Sequence, residues 1–313
     1  MLPYIVRRIL SGIPVLLLVV VFVFLLLRMS PGDPAHIIAG DAATTEDIAR
    51  IRAQLGLDQP IHTQFLIWLG QLLQGDLGRS VISNIPVAEM IVQRLEPTLS
   101  LTLTTIVFAC LTAIPLGILA AARAGTLIDR LAMVFSVTSF SFPVFFTGYL
   151  FVVIFAINLK WLPVQGFRPI GEGIGPFLYH ITLPTITLGL AYMALLTRMT
   201  RSAMLEVLHQ DYIRTARAKG LGTITILFVH ALKNAAVPIV TTAGIGIALL
   251  IGGAVVTETV FAIPGIGRLT VDAILAHDYP VIQAVILLFS VIYVLLNILI
   301  DVSYCFLDPR VRY

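Results

Sequence analysis

The chain has 313 residues, of which 58% are hydrophobic and only 12% charged, and its formal net charge at pH 7 is +3. Soluble domains carry about 25% charged residues, and none of this size buries several uncharged runs of about 20 residues. The composition therefore excludes an ordinary soluble protein and predicts an integral membrane protein. The small basic excess is expected to face anionic lipid headgroups, with no role in nucleic-acid binding.

The first apolar run covers residues 9–27 and follows Arg7 and Arg8. As a helix it is about 28 Å long, which is enough to cross a bilayer. The residues after it contain no small-x-small cleavage site. We therefore predict an uncleaved first transmembrane helix within residues 1–29.

A hydrophilic stretch, residues 30–97, is predicted to form a separate loop domain. Its Thr45-Glu46-Asp47-Ile48 segment has the pattern of a capped amphipathic helix, and residues 61–73 suggest a second helix. A core over residues 98–313 then holds five more apolar runs, at residues 99–122, 131–159, 181–197, 234–257 and 281–300. The run at 131–159 is too long for one straight span and contains Pro143, so a kink, tilt or break is expected there.

Lysine and arginine residues predict the orientation of these spans. With the N-terminus inside, the inner segments hold Arg7, Arg8, Arg123, Arg130, Arg198, Arg201, Arg214, Arg217, Lys219, Lys233, Arg310 and Arg312. The outer segments hold fewer, and most of theirs lie in the long 30–97 loop, which the positive-inside rule discounts. Both termini and the loop at 198–233 are therefore predicted to be cytoplasmic, and residues 30–97 extracytoplasmic.

The predicted spans contain few side chains that could relay ions, bind a metal or catalyse a reaction. None of the five later runs contains Asp, Glu, His, Lys or Arg, whereas proton- or sodium-coupled carriers usually keep such groups as relays. The chain has no Gly-Lys dipeptide, so it lacks the phosphate-binding loop of nucleotide-hydrolysing proteins. Its histidines show no metal-ligand spacing, and no membrane nucleophile has a base beside it. We expect no catalytic residue, metal or cofactor in this chain, and any driving energy should enter through a partner.

Two features of the fifth predicted span are candidate functional elements. Gly244, Ala248 and Gly252 recur every four residues, which favours either close helix packing or a smooth wall of a pathway. Glu258 follows at the outer end of the span, where it is either a gating charge or an interfacial helix-end residue.

The cytoplasmic loop contains a short basic segment that is predicted to be helical. Asp211 is a suitable N-cap and Gly220 a suitable stop. Leu205, Leu208, Tyr212 and Ala216 recur at helical spacing, which leaves the cations on other faces. Taken alone, the segment also fits a basic inner loop that follows the positive-inside rule.

The sequence of this segment resembles the "EAA" cytoplasmic loop of binding-protein-dependent ABC importer permeases, in the dipeptide/oligopeptide/nickel branch. The resemblance rests on Arg214-Thr215-Ala216-Arg217-Ala218-Lys219-Gly220-Leu221 and covers the whole chain. Further matching strings are Pro31-Gly32-Asp33-Pro34, Leu55-Gly56-Leu57-Asp58-Gln59-Pro60, Gly75-Asp76-Leu77-Gly78, His230-Ala231-Leu232-Lys233-Asn234, Pro264-Gly265-Ile266-Gly267-Arg268, Asp278-Tyr279-Pro280 and Leu307-Asp308-Pro309-Arg310. Arg214 and Thr215 stand where the general motif begins with Glu-Ala, so no acidic residue is assigned the coupling role there.

The resemblance implies an all-α polytopic membrane protein with six transmembrane helices of the type I ABC importer kind and an extracytoplasmic domain between the first two. It implies a coupling helix that docks on an ATPase, formed by Asp211, Tyr212, Arg214, Thr215, Ala216, Arg217, Ala218, Lys219 and Gly220. The implied partners are a second homologous permease subunit, two cytoplasmic ATPase subunits that bind ATP and Mg, and an extracytoplasmic substrate-binding protein.

The implied function is import of a dipeptide, oligopeptide or glutathione across a bacterial inner membrane, with branch similarity closest to dipeptide and glutathione permeases. A nickel- or metal-chelate importer is the first alternative. A channel or carrier that works without ATP is the second, and an ordered cytoplasmic helix argues against it.

Overall fold

The computed structural model describes residues 2–29, 35, 44–54 and 58–307, and within these ranges the chain is built from helices. An isolated β-bridge joins Arg79 and Pro86. The predicted all-α class is therefore confirmed for the described part of the chain. The matching strings at 31–34, 55–57 and 308–313 lie outside it.

The helices in the first half of the chain are α1 (Leu2–Met29), α2 (Thr45–Gln54), α3 (Ile61–Leu73), α4 (Val87–Ala122), α5 (Leu127–Ser141) and α6 (Val144–Phe151), which continues as a π-helix over Val152–Asn158. The second half contains α7 (Ile174–Leu208), α8 (Asp211–Ala218), α9 (Leu232–Val260), α10 (Ile266–Leu275) and α11 (Tyr279–Leu307). A helical turn at Thr223–Thr225 and a π-helical segment at Ile226–Ala231 lead directly into α9.

Five helices of the described chain are long and apolar enough to cross a membrane, and a sixth span is available if α5 and α6 are counted as one broken span. That pair is bent by 102° between Ser141 and Val144. Phe142 is extended, with φ −89° and ψ 133°, because a residue before proline is pushed out of the helical region. The kink, tilt or break expected at Pro143 is therefore confirmed as a break between two helices.

The predicted span limits were too short, however. α4 begins at Val87 and not at residue 99, and α7 runs from Ile174 to Leu208 and not from 181 to 197. Apolar windows detect only the part of a helix that suits hydrocarbon, whereas backbone hydrogen bonding continues through polar turns at both ends. As a result Asp129, Arg201 and Glu258, which lay outside the predicted spans, are inside helices.

The chain divides into two compact units. The first comprises Met1–Val6, Glu96–Arg268 and Leu295–Tyr313, and its buried core contains Leu101, Ile181, Leu196, Met204 and Phe261. Within this unit α7 contacts α5, α6 and α9, so it is the helix around which the others are arranged.

The second unit comprises Arg7–Leu95 and Leu269–Val294. Phe24 of α1 contacts Phe65 and Trp68 of α3, with ring centroids 5.1 and 5.6 Å away. The Ser80 hydroxyl donates to Asp278 Oδ2 at 2.5 Å, and the Val81 amide donates to Asp278 Oδ1 at 3.2 Å. The ring contacts join α1 to the 30–97 segment, and the two hydrogen bonds join that segment to residues 269–294, a pairing that the sequence did not predict.

Candidate functional site

The short helix α8 lies where the sequence placed the coupling segment. The N-cap is Gln210, which is extended, and Asp211 is the first helical residue, so the predicted N-cap was wrong by one position. Asp211 in the first turn and Arg217 in the last turn both complement the helix dipole. Lys219 is the C-cap, and Gly220 follows with φ +81°, a left-handed conformation that confirms the predicted stop.

The two faces of α8 differ sharply. Ile213 is completely buried and Ala216 is buried beside it, and both belong to the core of the first unit. This face contacts the π-helical segment Ile226–Ala231. The other residues of the helix are exposed: Asp211, Tyr212, Arg214, Thr215, Arg217 and Ala218, followed by Lys219 and Gly220. The helix is therefore seated on the core by two apolar residues and presents its cations outward.

The hydrophobic stripe predicted through Leu205, Leu208, Tyr212 and Ala216 is wrong at Tyr212. The chain leaves the helix after Leu208, and Tyr212 is 44% exposed while Ile213 takes the buried position. Counting every third or fourth residue assumes one unbroken helix axis, and the extended Gln210 interrupts that axis. Burial raises the pKa of Tyr212, and a hydrogen bond with Asn234 partly opposes this effect, so its hydroxyl is neutral at physiological pH.

Polar contacts within α8 are weak. Arg214 Nη1 lies 3.3 Å from Asp211 Oδ1, and both side chains are largely exposed. An exposed pair of this kind stabilises a helix by only about 0.3–0.5 kcal/mol. The exposed charges of α8 therefore contribute little to folding and are free to meet a partner surface.

Glu258, at the end of α9, is fully buried. Thr98 Oγ1 donates to Glu258 Oε1 at 2.6 Å, and the Arg268 amide donates to Oε2 at 2.9 Å. A Cβ on Gly265 or Gly267 would collide with the Glu258 carboxylate, which explains why glycine occupies both positions. In this conformation the carboxylate fixes the turn between α9 and α10, and a role in a pathway stays a prediction.

The glycine stripe in α9 does not form one packing surface. A Cβ on Gly244 would collide with Ile300, but Gly252 is exposed and has open space around it. Ala248 is half-buried between them. A lining role for the three residues remains a prediction.

Two other glycines of α9 make the close approach to α7. A Cβ on Gly246 would overlap the ring of Tyr192, and one on Gly253 would overlap Leu188. The Tyr192 hydroxyl donates to the carbonyl of Ala243 at 2.8 Å. The signal that could have located them is their seven-residue spacing, which is two helical turns.

In the described part of the chain, no group of three or more His, Cys, Asp and Glu residues could hold a metal ion.

Comparison with known proteins supports the resemblance read from the sequence. Residues 113–313 match the family "Binding-protein-dependent transport system inner membrane component", and residues 1–102 match the N-terminal family of such membrane components. A "Probable peptide ABC transporter permease protein" of Sinorhizobium fredii is 50% identical over 310 residues, which is 99% of each chain. The glutathione transport system permease protein GsiC of Salmonella typhimurium is 45% identical, and that of Escherichia coli K12 44%, over 100% of each chain.

A solved structure shows the same fold. The inward-facing MetNI methionine ABC transporter superposes on 71% of this chain and 97% of its own chain, with a TM-score of 0.58 at 20% sequence identity. At that identity the likeness concerns the fold alone. Together with the two family matches, which extend over both halves of the sequence, it shows that this chain belongs to the family of inner-membrane components of binding-protein-dependent transport systems.

Proposed function

We propose that this permease moves small peptides, with glutathione among the candidates, into the cytoplasm, and that α8 is the helix through which a partner ATPase drives it. The peptide class is supported by full-length relatives that are named as peptide and glutathione permeases. The observation that carries the coupling proposal is the two-faced geometry of α8.

The buried face of α8 makes it suitable for transmitting force. Ile213 and Ala216 are embedded in the core of the first unit, so a displacement of the helix is resisted by packed side chains. Interiors at native packing density deform little and pass strain on to their neighbours. A push on α8 is therefore expected to reach the membrane helices.

The exposed face of α8 makes it suitable for docking. It carries one aromatic ring and several cations, and aromatic and arginine side chains are frequent energetic centres of protein interfaces. Arg217 also lines a cavity of about 410 Å³ beside α8, together with His209 and Leu221. An ATPase groove with acidic walls would complement this surface.

The proposed assembly follows the family pattern. It contains two such ATPases that bind ATP and Mg, a second permease subunit and an extracytoplasmic binding protein. Both termini of this chain and the 198–233 loop lie on the cytoplasmic side in this proposal, and residues 30–97 lie on the outside, where they meet the binding protein. The positive-inside distribution of lysine and arginine supports that orientation.

The coupling role is tested by Arg217→Glu in the assembled transporter. Reversal of an exposed charge leaves the fold intact, so the chain should insert normally while peptide uptake in proteoliposomes falls to background. Arg123→Glu is the matched control, because Arg123 is also exposed but lies outside α8. Normal uptake by the Arg217 variant would rule out docking through this face.

The substrate is tested with the binding protein that purifies with the complex. We expect it to bind dipeptides or glutathione in a calorimetric titration and to show no binding of nickel, with or without a chelator. Preferential binding of a nickel chelate would assign the permease to metal import. Failure of any ATPase to purify with the chain in mild detergent would favour a channel.

A further inference from the structure

The first unit contains a partly buried ion pair between α5 and α7. Arg201 of α7 donates to Asp129 of α5 through both arms of its guanidinium, from Nε to Oδ1 at 2.5 Å and from Nη2 to Oδ2 at 2.8 Å. Asp129 Oδ2 also accepts from the amide of Gly125 at 2.9 Å. Asp129 is only 4% exposed, whereas the Arg201 side chain is 27% exposed, so the contact is partly shielded from water and has a defined geometry.

The pair differs from two exposed pairs of the same chain. Arg168–Glu172 and Arg214–Asp211 join residues four and three positions apart in exposed segments. Asp129 and Arg201 are 72 positions apart in the sequence. A buried ion pair is seldom worth more stability than apolar residues of equal volume, but a two-pronged guanidinium contact fixes both distance and orientation.

α5 packs against α7, but it buries no large side chain. Its buried residues are Asp129, Ala132 and Ser136, none of which is a large hydrophobic side chain. Farther along, a cavity of about 120 Å³ separates parts of α5 and α7, lined by Met133, Phe140 and Leu195 among others. The ion pair is therefore a contact of defined geometry between the first turn of α5 and α7.

The location of the pair connects it with α8. Arg201 lies seven residues before the end of α7 at Leu208, about 10 Å along the helix axis, and α8 begins at Asp211. On the other side, α5 extends from Asp129 to the 102° bend at Pro143. Arg201 is therefore placed between the end of α7 that leads to α8 and the helix that leads to the bend.

We propose that Asp129 and Arg201 are positioning residues that couple α8 to the broken span α5–α6, so that motion imposed by the ATPase changes the membrane pathway. This inference rests on the proposed function. It adds a link between two helices that the docking of α8 alone does not supply.

The test compares variants in the assembled transporter in proteoliposomes, where peptide uptake and ATP hydrolysis are measured together. In Asp129→Asn, we expect the ATPase to remain bound and active while peptide uptake per ATP falls about tenfold, a size typical of coupling between sites. Arg201→Lys keeps the positive charge but loses the guanidinium that makes two hydrogen bonds to Asp129. It should give an intermediate ratio of peptide uptake to ATP hydrolysis. The exposed pair Arg168–Glu172 supplies the control, because Glu172→Gln should leave the ratio of peptide uptake to ATP hydrolysis unchanged.

A second variant separates coupling from stability. Asp129→Leu combined with Arg201→Met removes both charges and leaves no unpaired ion, so it should fold as well as the parent protein and still be uncoupled. Exchange of the two charges, Asp129→Arg with Arg201→Asp, should restore part of the ratio. Parental coupling in the apolar double variant would overturn the ion-pair inference, whereas absence of peptide uptake by the parent protein would overturn the proposed function.

Discussion

α7 and α1 are both candidate membrane spans. In helices of soluble proteins the more hydrophobic helix is usually the more buried one, and in this pair it is the more exposed one. In the most apolar stretch of α7, 67% of residues are buried and the mean hydropathy is 1.3. In α1 the corresponding values are 11% and 3.1. Hydropathy is thus higher in the helix that is exposed and lower in the helix that is enclosed by protein.

The physical reason is the solvent. Lipid tails are as apolar as leucine, so a helix surface that faces them must be apolar, while contacts between helices depend on small residues and hydrogen bonds. α7 buries Thr187 and Gly189, whereas α1 exposes Leu18 and Phe22. Mean hydropathy in this chain therefore reports exposure to lipid or to a partner subunit, and close approaches between helices locate the core.

The largest effect is expected from a charge on the exposed helix. Leu18, near the middle of α1, is 71% exposed, and Leu18→Lys should disfavour membrane insertion by about 3 kcal/mol. The measurement is the membrane-inserted fraction of the full chain in a cell-free system with membranes. Leu18→Ala is the control and should insert normally, and equal insertion of the lysine variant would contradict a lipid-facing α1.

A smaller effect is expected from filling the contact between α7 and α9. Gly246→Leu should collide with Tyr192, because no space remains for a side chain there, and overpacking of this kind costs about 1–3 kcal/mol. Gly252→Leu is the matched control, since Gly252 has open space around it. Thermal unfolding in detergent should show a lower midpoint for the first variant only, and equal midpoints would remove the basis for treating α7 as an enclosed helix.

The smallest effect concerns one hydrogen bond. Tyr192→Phe removes the bond to the Ala243 carbonyl and should lower the free energy of unfolding by about 1 kcal/mol. Tyr149→Phe is its counterpart on an exposed surface, where Tyr149 is 58% exposed, and it should be neutral. A neutral result for both would mean that the bond adds nothing to the joint between α7 and α9.

Local features were the most accessible to sequence reasoning. The break at Pro143 and the stop at Gly220 each follow from the conformational limits of one residue and its neighbours. The matching strings led to the family because several of them occur in one order along one chain. The span limits were less accessible, since the polar ends of α4 and α7 carry no apolar signal although their backbones continue as helix.

Contacts between residues far apart in the chain could not be predicted from the sequence. Nothing in the neighbourhood of Tyr212 or Ile213 indicates which of them faces the core, because the answer depends on the segment Ile226–Ala231. The sequence is compatible with an interfacial charge at Glu258. Only the fold shows that Thr98 and the Arg268 amide donate hydrogen bonds to its carboxylate. Spacing along the chain has no information about such partners.

By itself, the sequence determined that this is a membrane protein with a distorted helix at Pro143 and a short basic helix that ends at Gly220, because hydropathy and backbone limits act on each segment separately. Only the tertiary structure decided that Ile213 seats that helix, that Glu258 is buried, and that Asp129 meets Arg201. Those outcomes depend on which helices lie side by side, and a buried charge is stable only where the folded chain brings it a partner.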